Sequence, residues 1–405
     1  MDDEDSLRIS PRGIVAMLCS VGLHLAILGA LAPVLPLYVT SLGATPAQWG
    51  IMVASAGCLM IFSEPAWGWL ADRLGFRRPY LVARLGLAAG LWLLVVWPEL
   101  LVILLWQVVS GLFETTIGVL GRGYLVRAYP PARQTFGLSL YLVVYSVCLA
   151  LGSTTGGYLF QQAGPRAVFV LIAGLGSLAS LAAFFVIDPS TEVPAAVVAS
   201  APPRQPQPIL GKGMLILGVA GLLQFVGNRV VRGFLVLLAR DQAHLDASAA
   251  GVLFGVFSVA NIIFLALLNR FDRRLGLVAR VAAGLGLGAT AMVVYSLARS
   301  YDALLLAVTL DAFGWSLASP ARIVLVGRLS TPATYGRALG LHGSFENVGV
   351  LLGPLLAGLL WNSVGPAAAY QVTAVLLAGG ALLALGLYRT APSQAVRRAE
   401  QREAI

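Results

Sequence analysis

Long apolar stretches, separated by short polar connections, run along almost the whole chain. A helix needs about 20 mostly apolar residues to cross the roughly 30 Å hydrocarbon core of a bilayer. We predict membrane-spanning helices at 14–38, 49–70, 79–97, 100–122, 136–160, 166–187, 213–238, 249–268, 276–297, 303–326, 336–361 and 367–388. The pattern therefore predicts an all-α integral membrane protein with twelve transmembrane helices.

A proline-rich segment divides these spans into two groups of six. Six prolines lie between residues 189 and 208, and such a segment favours a semi-extended linker over a helix in lipid. We predict an N-terminal six-helix half at 1–188, a cytoplasmic linker at 189–211, and a C-terminal six-helix half with a cytoplasmic tail at 212–405.

The two halves resemble each other in sequence. The pentapeptide AGPRA at 163–167 recurs as VGPAA at 364–368, an offset of 201 residues. The same offset relates Gly152 to Gly353, and the tetrapeptide LVAR at 81–84 returns at 277–280. The halves are therefore predicted to be pseudo-symmetric. Parallel six-helix repeats of this kind place a substrate site near the midplane between the halves.

Composition and charge agree with a membrane protein. Hydrophobic residues make up 58% of the chain and charged residues 11%, whereas soluble proteins carry about 25% charged residues. The net charge is +9, and the arginines are concentrated in alternate connections. Of the arginines in connections, only Arg166, Arg240 and Arg299 fall in those predicted to be external. By the positive-inside rule both termini are cytoplasmic. We predict a monomer in the inner or plasma membrane, without a nucleic-acid partner.

The chain lacks the residue patterns of an enzyme or a metalloprotein. Cys19, Cys58 and Cys148 fall in separate apolar spans, and we interpret them as small core residues rather than as disulfides or metal ligands. The phosphate-binding motif G-x-x-x-x-G-K-[ST] is absent. We therefore predict that the protein is not an enzyme and needs no cofactor.

The connection between the second and third spans carries a specific motif. Residues 68–78 read GWLADRLGFRR. The glycine permits a sharp turn, and the arginines suit an anionic inner leaflet. This segment resembles the G-x-x-x-D-R-x-G-R-R signature of the major facilitator superfamily, which implies a twelve-helix transporter. The resemblance assigns a cytoplasmic gate motif to Gly68, Asp72, Arg73, Gly75, Arg77 and Arg78.

Two other segments are similar to one branch of that family, the twelve-helix drug:proton antiporters. The first span carries P-x-x-P-x-Y at 33–38, and the eleventh span is rich in glycine, with Gly349, Gly353 and Gly358. The resemblance implies proton-coupled export of small amphipathic compounds. Two features depart from it: Gln107 occupies the place of an arginine linked to proton coupling, and the first span lacks the usual acidic residue.

Ionisable side chains within the spans are the candidate functional groups, because each costs at least about 2.5–3.5 kcal/mol on insertion scales. We hypothesise that Glu114 and Glu346 are protonatable and that Arg229 or Arg232 orients an anionic or polar substrate group. The alternative is an internal salt bridge that only stabilises the fold. The candidate substrate and proton pathway comprises Glu114, Arg229, Arg232, Asp311, Glu346, Asn228, Gln107 and His342.

Three functions remain open from the sequence. The first is a secondary transporter that exports amphipathic or drug-like compounds by alternating access, with a proton or another ion as coupling partner. The second is an uptake or exchange carrier for an anionic metabolite, which uses Arg229 or Arg232. The third is a non-transporting membrane sensor, which the buried charges and the gate motif disfavour.

Overall fold

The computed structural model describes residues 9–130, 133–186, 211–271, 275–330 and 334–389. Within these ranges the chain forms eleven α-helices, all long and apolar enough to cross a membrane. They are α1 (Pro11–Ser41), α2 (Pro46–Leu74), α3 (Arg77–Val96), α4 (Leu100–Ala128), α5 (Gln134–Phe184), α6 (Lys212–Ala243), α7 (Ala247–Phe271), α8 (Leu277–Leu297), α9 (Tyr301–Leu329), α10 (Tyr335–Ser363) and α11 (Pro366–Leu385). A short 3-10 helix, Gly386–Arg389, follows α11.

Helix α5 contains two of the predicted spans. Its 51 residues would extend about 76 Å as a straight helix, more than twice the thickness of a bilayer core. Gly164 interrupts it with φ 77° and ψ −179°, and Pro165 follows. The fifth and sixth spans therefore meet at Gly164, and α6 to α11 correspond to the seventh to twelfth spans. The prediction of an all-α protein with twelve spans is confirmed.

Local capping explains where two of the helices begin. Ser10 precedes α1, and its side chain accepts a hydrogen bond from the Gly13 backbone N–H at 3.4 Å. Ser300 precedes α9 in the same way, accepting from Ala303 at 3.3 Å. A side-chain oxygen at this position satisfies one of the backbone donors that a helix leaves free in its first turn.

The backbone repeats the internal symmetry of the sequence. Gly164 and Gly365, which are 201 residues apart, both have positive φ angles, 77° and 123°. The same offset relates Gly43 after α1, with φ 91°, to His244 after α6, with φ 53°. Residues other than glycine adopt positive φ only rarely. Equivalent turns at equivalent positions therefore support an internal repeat more strongly than residue matches alone.

The chain divides into two compact units. The first contains α1, α3, α4 and α5, most of α2, and the segment Asp246–Gly255 at the start of α7. The second contains α6 and α8 to α11, the rest of α7, and the segment Thr45–Ala54 at the start of α2. These two short segments are themselves 201 residues apart. Of the predicted linker at 189–211, only Gly211 lies within the described residues, so the predicted domain boundaries stay a prediction.

Glycines allow a pair of long helices in each unit to approach closely. In the first unit, a Cβ atom on Gly152 of α5 would lie 2.8 Å from the Cα of Ala26 on α1. In the second unit, a Cβ on Gly353 of α10 would lie 2.8 Å from the carbonyl oxygen of Val226 on α6. Helices in lipid associate mainly by packing, which favours small residues at the contact. The missing side chains of Gly152 and Gly353 therefore permit close contact between the backbones of the paired helices.

The interpretation of the cysteines as core residues is wrong for two of the three. Cys19 and Cys58 are exposed, and Cys148 is half-buried. Lipid tails are as apolar as a protein core, so an apolar stretch does not distinguish a side chain facing lipid from one facing other helices. All three cysteines are free thiols.

We predict that Gly152→Ala destabilises the first unit although alanine favours helix. The added methyl group collides with the backbone of Ala26, and overpacking of this kind costs roughly 1–3 kcal/mol. Thermal unfolding in detergent, followed by tryptophan fluorescence, measures the effect. The matched control is Gly174→Ala in the same helix, where a Cβ meets no atom within 4 Å. Equal melting temperatures for the two variants would contradict the close packing.

Candidate functional site

A buried carboxyl group marks a small cavity in the second unit. Asp311 of α9 is 8% exposed, and its Oδ2 atom has no hydrogen-bond partner among the described residues. The side chain lines the cavity together with Gln224 and Asn228 of α6 and Trp315 of α9. Asn228 and Asp311 were both predicted as pathway residues, and the structure brings them to the same cavity.

Close contact between α8 and α9 forms one wall of this cavity. Gly284 and Gly288 of α8 line it, and they pack against Gly314 of α9. A Cβ on Gly314 would lie 2.6 Å from the Gly284 carbonyl oxygen and 3.0 Å from the Gly288 nitrogen. The glycines therefore determine how near the backbone of α8 lies to Asp311, one turn away on α9.

Three further polar groups act on Asp311. The side chains of Arg232, Tyr295 and Tyr370 all interact electrostatically with its carboxyl group. The two tyrosine rings are 5.5 Å apart, and both hydroxyl groups are buried without a hydrogen-bond partner among the described residues. Buried polar groups normally have such partners. Asp311 is therefore a buried carboxyl group with a few polar side chains near it, inside an otherwise apolar helical unit.

The size of the cavity limits what it can contain. Its enclosed space is about that of a single water molecule, far below the roughly 300–1,000 Å³ typical of sites for drug-sized ligands. Its polar groups can bind water, a proton or one functional group of a larger compound. The cavity in this conformation does not enclose a whole drug-sized molecule.

A second polar cluster, formed by Arg322, His342 and Glu346, lies in the same unit. Arg322 Nη1 of α9 donates to Glu346 Oε1 of α10 at 2.8 Å. The same nitrogen lies 3.3 Å from His342 Nε2, which in turn lies 3.3 Å from Glu346 Oε1. The contact between His342 and Glu346 agrees with their i, i+4 spacing. Glu346, hypothesised to be protonatable, thus forms a salt bridge with an arginine that was not among the candidates.

The absence of a side chain on α6 makes room for this cluster. A Cβ on Gly221 would collide with Arg322 Nη1 and lie 2.9 Å from His342 Cε1. One turn further along α6, the ring of Phe225 lies 5.9 Å from the Arg322 guanidinium carbon. Phe225 also contacts Trp315 edge to face, with ring centroids 5.3 Å apart. An aromatic pair therefore connects the Arg322 cluster with the cavity at Asp311.

The other predicted pathway residues are distributed more widely. Gln107 is buried and Glu114 is half-buried on α4 of the first unit, so neither belongs to the two clusters of the second unit. Arg229 is half-buried on α6, and its Cβ lies near Gly353 of α10. Their assignment to a substrate or proton pathway stays a prediction.

Sequence reasoning missed Arg322, Tyr295 and Tyr370. A signal for Arg322 was available, because the residue lies within the tenth predicted span at 303–326. It lies four residues from the predicted end of that span. The structure continues α9 to Leu329 and buries the Arg322 side chain completely.

The predicted gate motif forms a sharp turn between α2 and α3. Gly75 has φ 79°, which confirms the expected bend. Arg77 Nη2 donates to the Phe184 carbonyl oxygen at the end of α5, at 2.9 Å, and the Arg73 guanidinium lies 4.1 Å from the centre of the Trp69 ring. The Asp72 side chain lies outside the described part of the chain, so its predicted role is untested.

The first unit contains a buried arginine that is stabilised by neutral oxygen atoms. Arg84 of α3 is 2% exposed, and it donates to the Ser20 carbonyl oxygen and, at 3.0 Å, to the Tyr80 hydroxyl group. The Tyr80 hydroxyl donates to Ser20 Oγ at 3.0 Å. These bonds join α1 to α3. We interpret this group as a structural network rather than a binding site.

The protein family that matches this chain is the one that the motif at 68–78 resembles. The family model described as Major Facilitator Superfamily matches residues 17–218 and 217–404. The two matches divide the chain close to the start of α6 and together cover nearly all of it.

Two curated relatives are similar over most of their length. The chain is 22% identical over 355 residues to the quinolone resistance protein NorA of Staphylococcus aureus (strain MSSA476), which covers 87% of this chain and 90% of NorA. It is 27% identical over 377 residues to the multidrug resistance protein MdtG of Enterobacter lignolyticus (strain SCF1), covering 88% of each.

A solved structure supports the fold. The crystal structure of the peptide transporter POT in complex with alafosfalin superimposes with a TM-score of 0.79 over 97% of this chain and 96% of that one. Only 14% of the residues are identical, so this similarity concerns the fold alone.

We predict that Tyr80→Phe lowers the stability of the first unit. The change removes one of the two acceptors of Arg84 and a donor to Ser20, and an unsatisfied buried polar group costs roughly 1–3 kcal/mol. The control is Tyr158→Phe, because Tyr158 is 57% exposed and such changes usually stay within about 0.5 kcal/mol. Thermal unfolding in detergent compares the two. A melting temperature of Tyr80→Phe equal to that of Tyr158→Phe would refute the structural network.

Proposed function

The chain belongs to the major facilitator superfamily and is a membrane transporter rather than an enzyme; we propose that it exports amphipathic, drug-like compounds in exchange for protons. The proposed mechanism is alternating access. We further propose that the protein resides in the inner or plasma membrane with both termini in the cytoplasm, as the distribution of arginines favours.

Drug export is supported by the relatives and by two sequence patterns. NorA is described as a quinolone resistance protein and MdtG as a multidrug resistance protein. The P-x-x-P-x-Y pattern at 33–38 and the glycines of α10 resemble the drug:proton antiporter branch. In the second unit, Phe225 and Trp315 provide aromatic surface beside polar groups. Such a surface suits compounds with an aromatic body and a polar end.

Proton coupling is supported above all by the burial of Asp311 beside a cavity. Gain or loss of a proton changes the charge of its carboxyl group, and therefore its interaction with Arg232. Two unpartnered tyrosine hydroxyl groups close by can donate to the carboxylate or accept from the acid. Because Glu346 is already held by Arg322, we assign the transported proton to Asp311 in preference to Glu346.

We predict that Asp311→Asn uncouples transport from the pH gradient. In proteoliposomes with an imposed pH gradient, the native protein accumulates ethidium against its concentration gradient. In the variant this accumulation falls at least about fivefold, which is the lower end of typical coupling between two sites. Exchange of ethidium at equal pH on both sides continues, since it requires no net proton transfer.

The matched control is Asp302→Asn, which makes the same change at an exposed position in the first turn of α9. Gradient-driven accumulation by this variant remains at the native level. Native-like accumulation by Asp311→Asn would rule out Asp311 as the proton carrier. Absence of any gradient-driven ethidium transport by the native protein would refute proton-driven export of amphipathic cations.

The alternative proposal is uptake or exchange of an anionic metabolite through Arg229 or Arg232. The electrostatic interaction of Arg232 with Asp311 favours a role for this arginine close to the cavity. Anion exchange that is lost in Arg229→Ala or Arg232→Ala, together with absence of ethidium transport, supports this alternative over drug export.

A further inference from the structure

The Arg322 guanidinium has bonding capacity that the fold does not use. Its side chain is completely buried, and Nη1 alone forms the salt bridge with Glu346. Nε and Nη2 have no hydrogen-bond partner among the described residues. Donors on a charged group are costly to bury without an acceptor. A stable fold would normally satisfy them, so these two atoms are candidates for binding a ligand.

The two free donors lie on the same edge of the guanidinium. Nε and Nη2 present parallel N–H groups on the side opposite Nη1, and this spacing matches the two oxygen atoms of a carboxylate or a similar oxyanion. Glu346 occupies only the Nη1 side. The free edge of Arg322 is therefore complementary to a second anionic group.

Two aromatic side chains lie between this arginine and the cavity at Asp311. The Phe225 ring centre is 5.9 Å from the Arg322 guanidinium carbon, Trp315 packs on Phe225, and Trp315 lines the cavity. All three belong to the second unit. When the cavity opens during alternating access, a compound with an aromatic ring and a carboxylate can place the ring against Phe225 and Trp315 while its carboxylate reaches Arg322.

We propose that Arg322 binds the anionic group of transported aromatic carboxylates, with Glu346 as the competing internal anion. This inference rests on the proposed export function and extends it by naming a substrate class and the residue that selects it. Glu346 neutralises part of the Arg322 charge, and its side chain is 23% exposed. Removal of the Glu346 charge therefore strengthens binding of a substrate anion.

The test compares two fluorescent probes in the same proteoliposomes: fluorescein, an aromatic carboxylate, and ethidium, an aromatic cation. Arg322→Gln raises the KM for fluorescein relative to that for ethidium by about tenfold or more, as expected for loss of a charge-assisted bidentate contact. Glu346→Gln changes the fluorescein KM in the opposite direction. Arg240→Gln, at an exposed arginine paired with Asp241, leaves both KM values unchanged.

The two variants separate an anion site from a structural salt bridge. A purely structural pair predicts that Arg322→Gln and Glu346→Gln lower the melting temperature and impair both probes alike, and that result overturns the proposal. If Arg322→Gln does not fold, Glu346→Gln decides alone, because an unchanged or raised fluorescein KM in that variant also overturns it.

The native protein separates this inference from the proposed function. Gradient-driven ethidium transport without transport of fluorescein refutes the anion site and leaves drug:proton exchange standing. Fluorescein transport that requires Arg322, in the absence of ethidium transport, supports the anion site and refutes the export of amphipathic cations.

Discussion

The absence of water in the membrane interior is the constraint on which this structure depends. Backbone N–H and C=O groups there must bond within the protein, and a helix satisfies nearly all of them within one segment. Long helices result, and they end or bend where Gly and Pro permit it, as at Gly164 and Gly365. Apolar side chains gain little by leaving lipid for a helix contact. Close backbone packing, made possible by glycines such as Gly152 and Gly353, therefore takes the place of the hydrophobic effect in joining the helices.

The same constraint makes every buried charge significant, and the protein accommodates its charges in three ways. Arg84 donates to two neutral oxygen atoms, the Ser20 carbonyl and the Tyr80 hydroxyl. Arg322 is partly satisfied by Glu346 and retains free donors. Asp311 faces a cavity with an unpartnered oxygen atom. The first arrangement suits stability, whereas the other two leave groups available for a ligand or a proton. The internal repeat does not preserve these two charges. At the offset of 201 residues, the position of Asp311 is occupied by Ser110 in the first half, and the position of Arg322 by Gly121.

Much of the fold could be predicted because hydrophobic length and turn residues are local properties. The twelve spans, the bend at Gly75 and the repeat all follow from short segments. The candidate site was harder to predict. His342 and Glu346 were recognisable as a pair because they are one turn apart, whereas their common partner Arg322 lies on another helix and close to the end of a predicted span. The cysteines show the same limit, since apolarity alone does not reveal whether Cys19 faces lipid or protein.

The sequence by itself determined that this chain is helical, spans a membrane, repeats its architecture and resembles a transporter family. These properties depend on the apolar length of each segment, on the offset between the halves and on one motif. Only the tertiary structure decided which charges meet. It placed Asp311 beside a cavity with Asn228 and Trp315. It also joined Arg322 to Glu346, while Nε and Nη2 of Arg322 have no hydrogen-bond partner in the part of the chain that the structure describes. The reason is physical: the cost of a buried charge depends on the atoms within a few ångströms of it, and those atoms come from different helices.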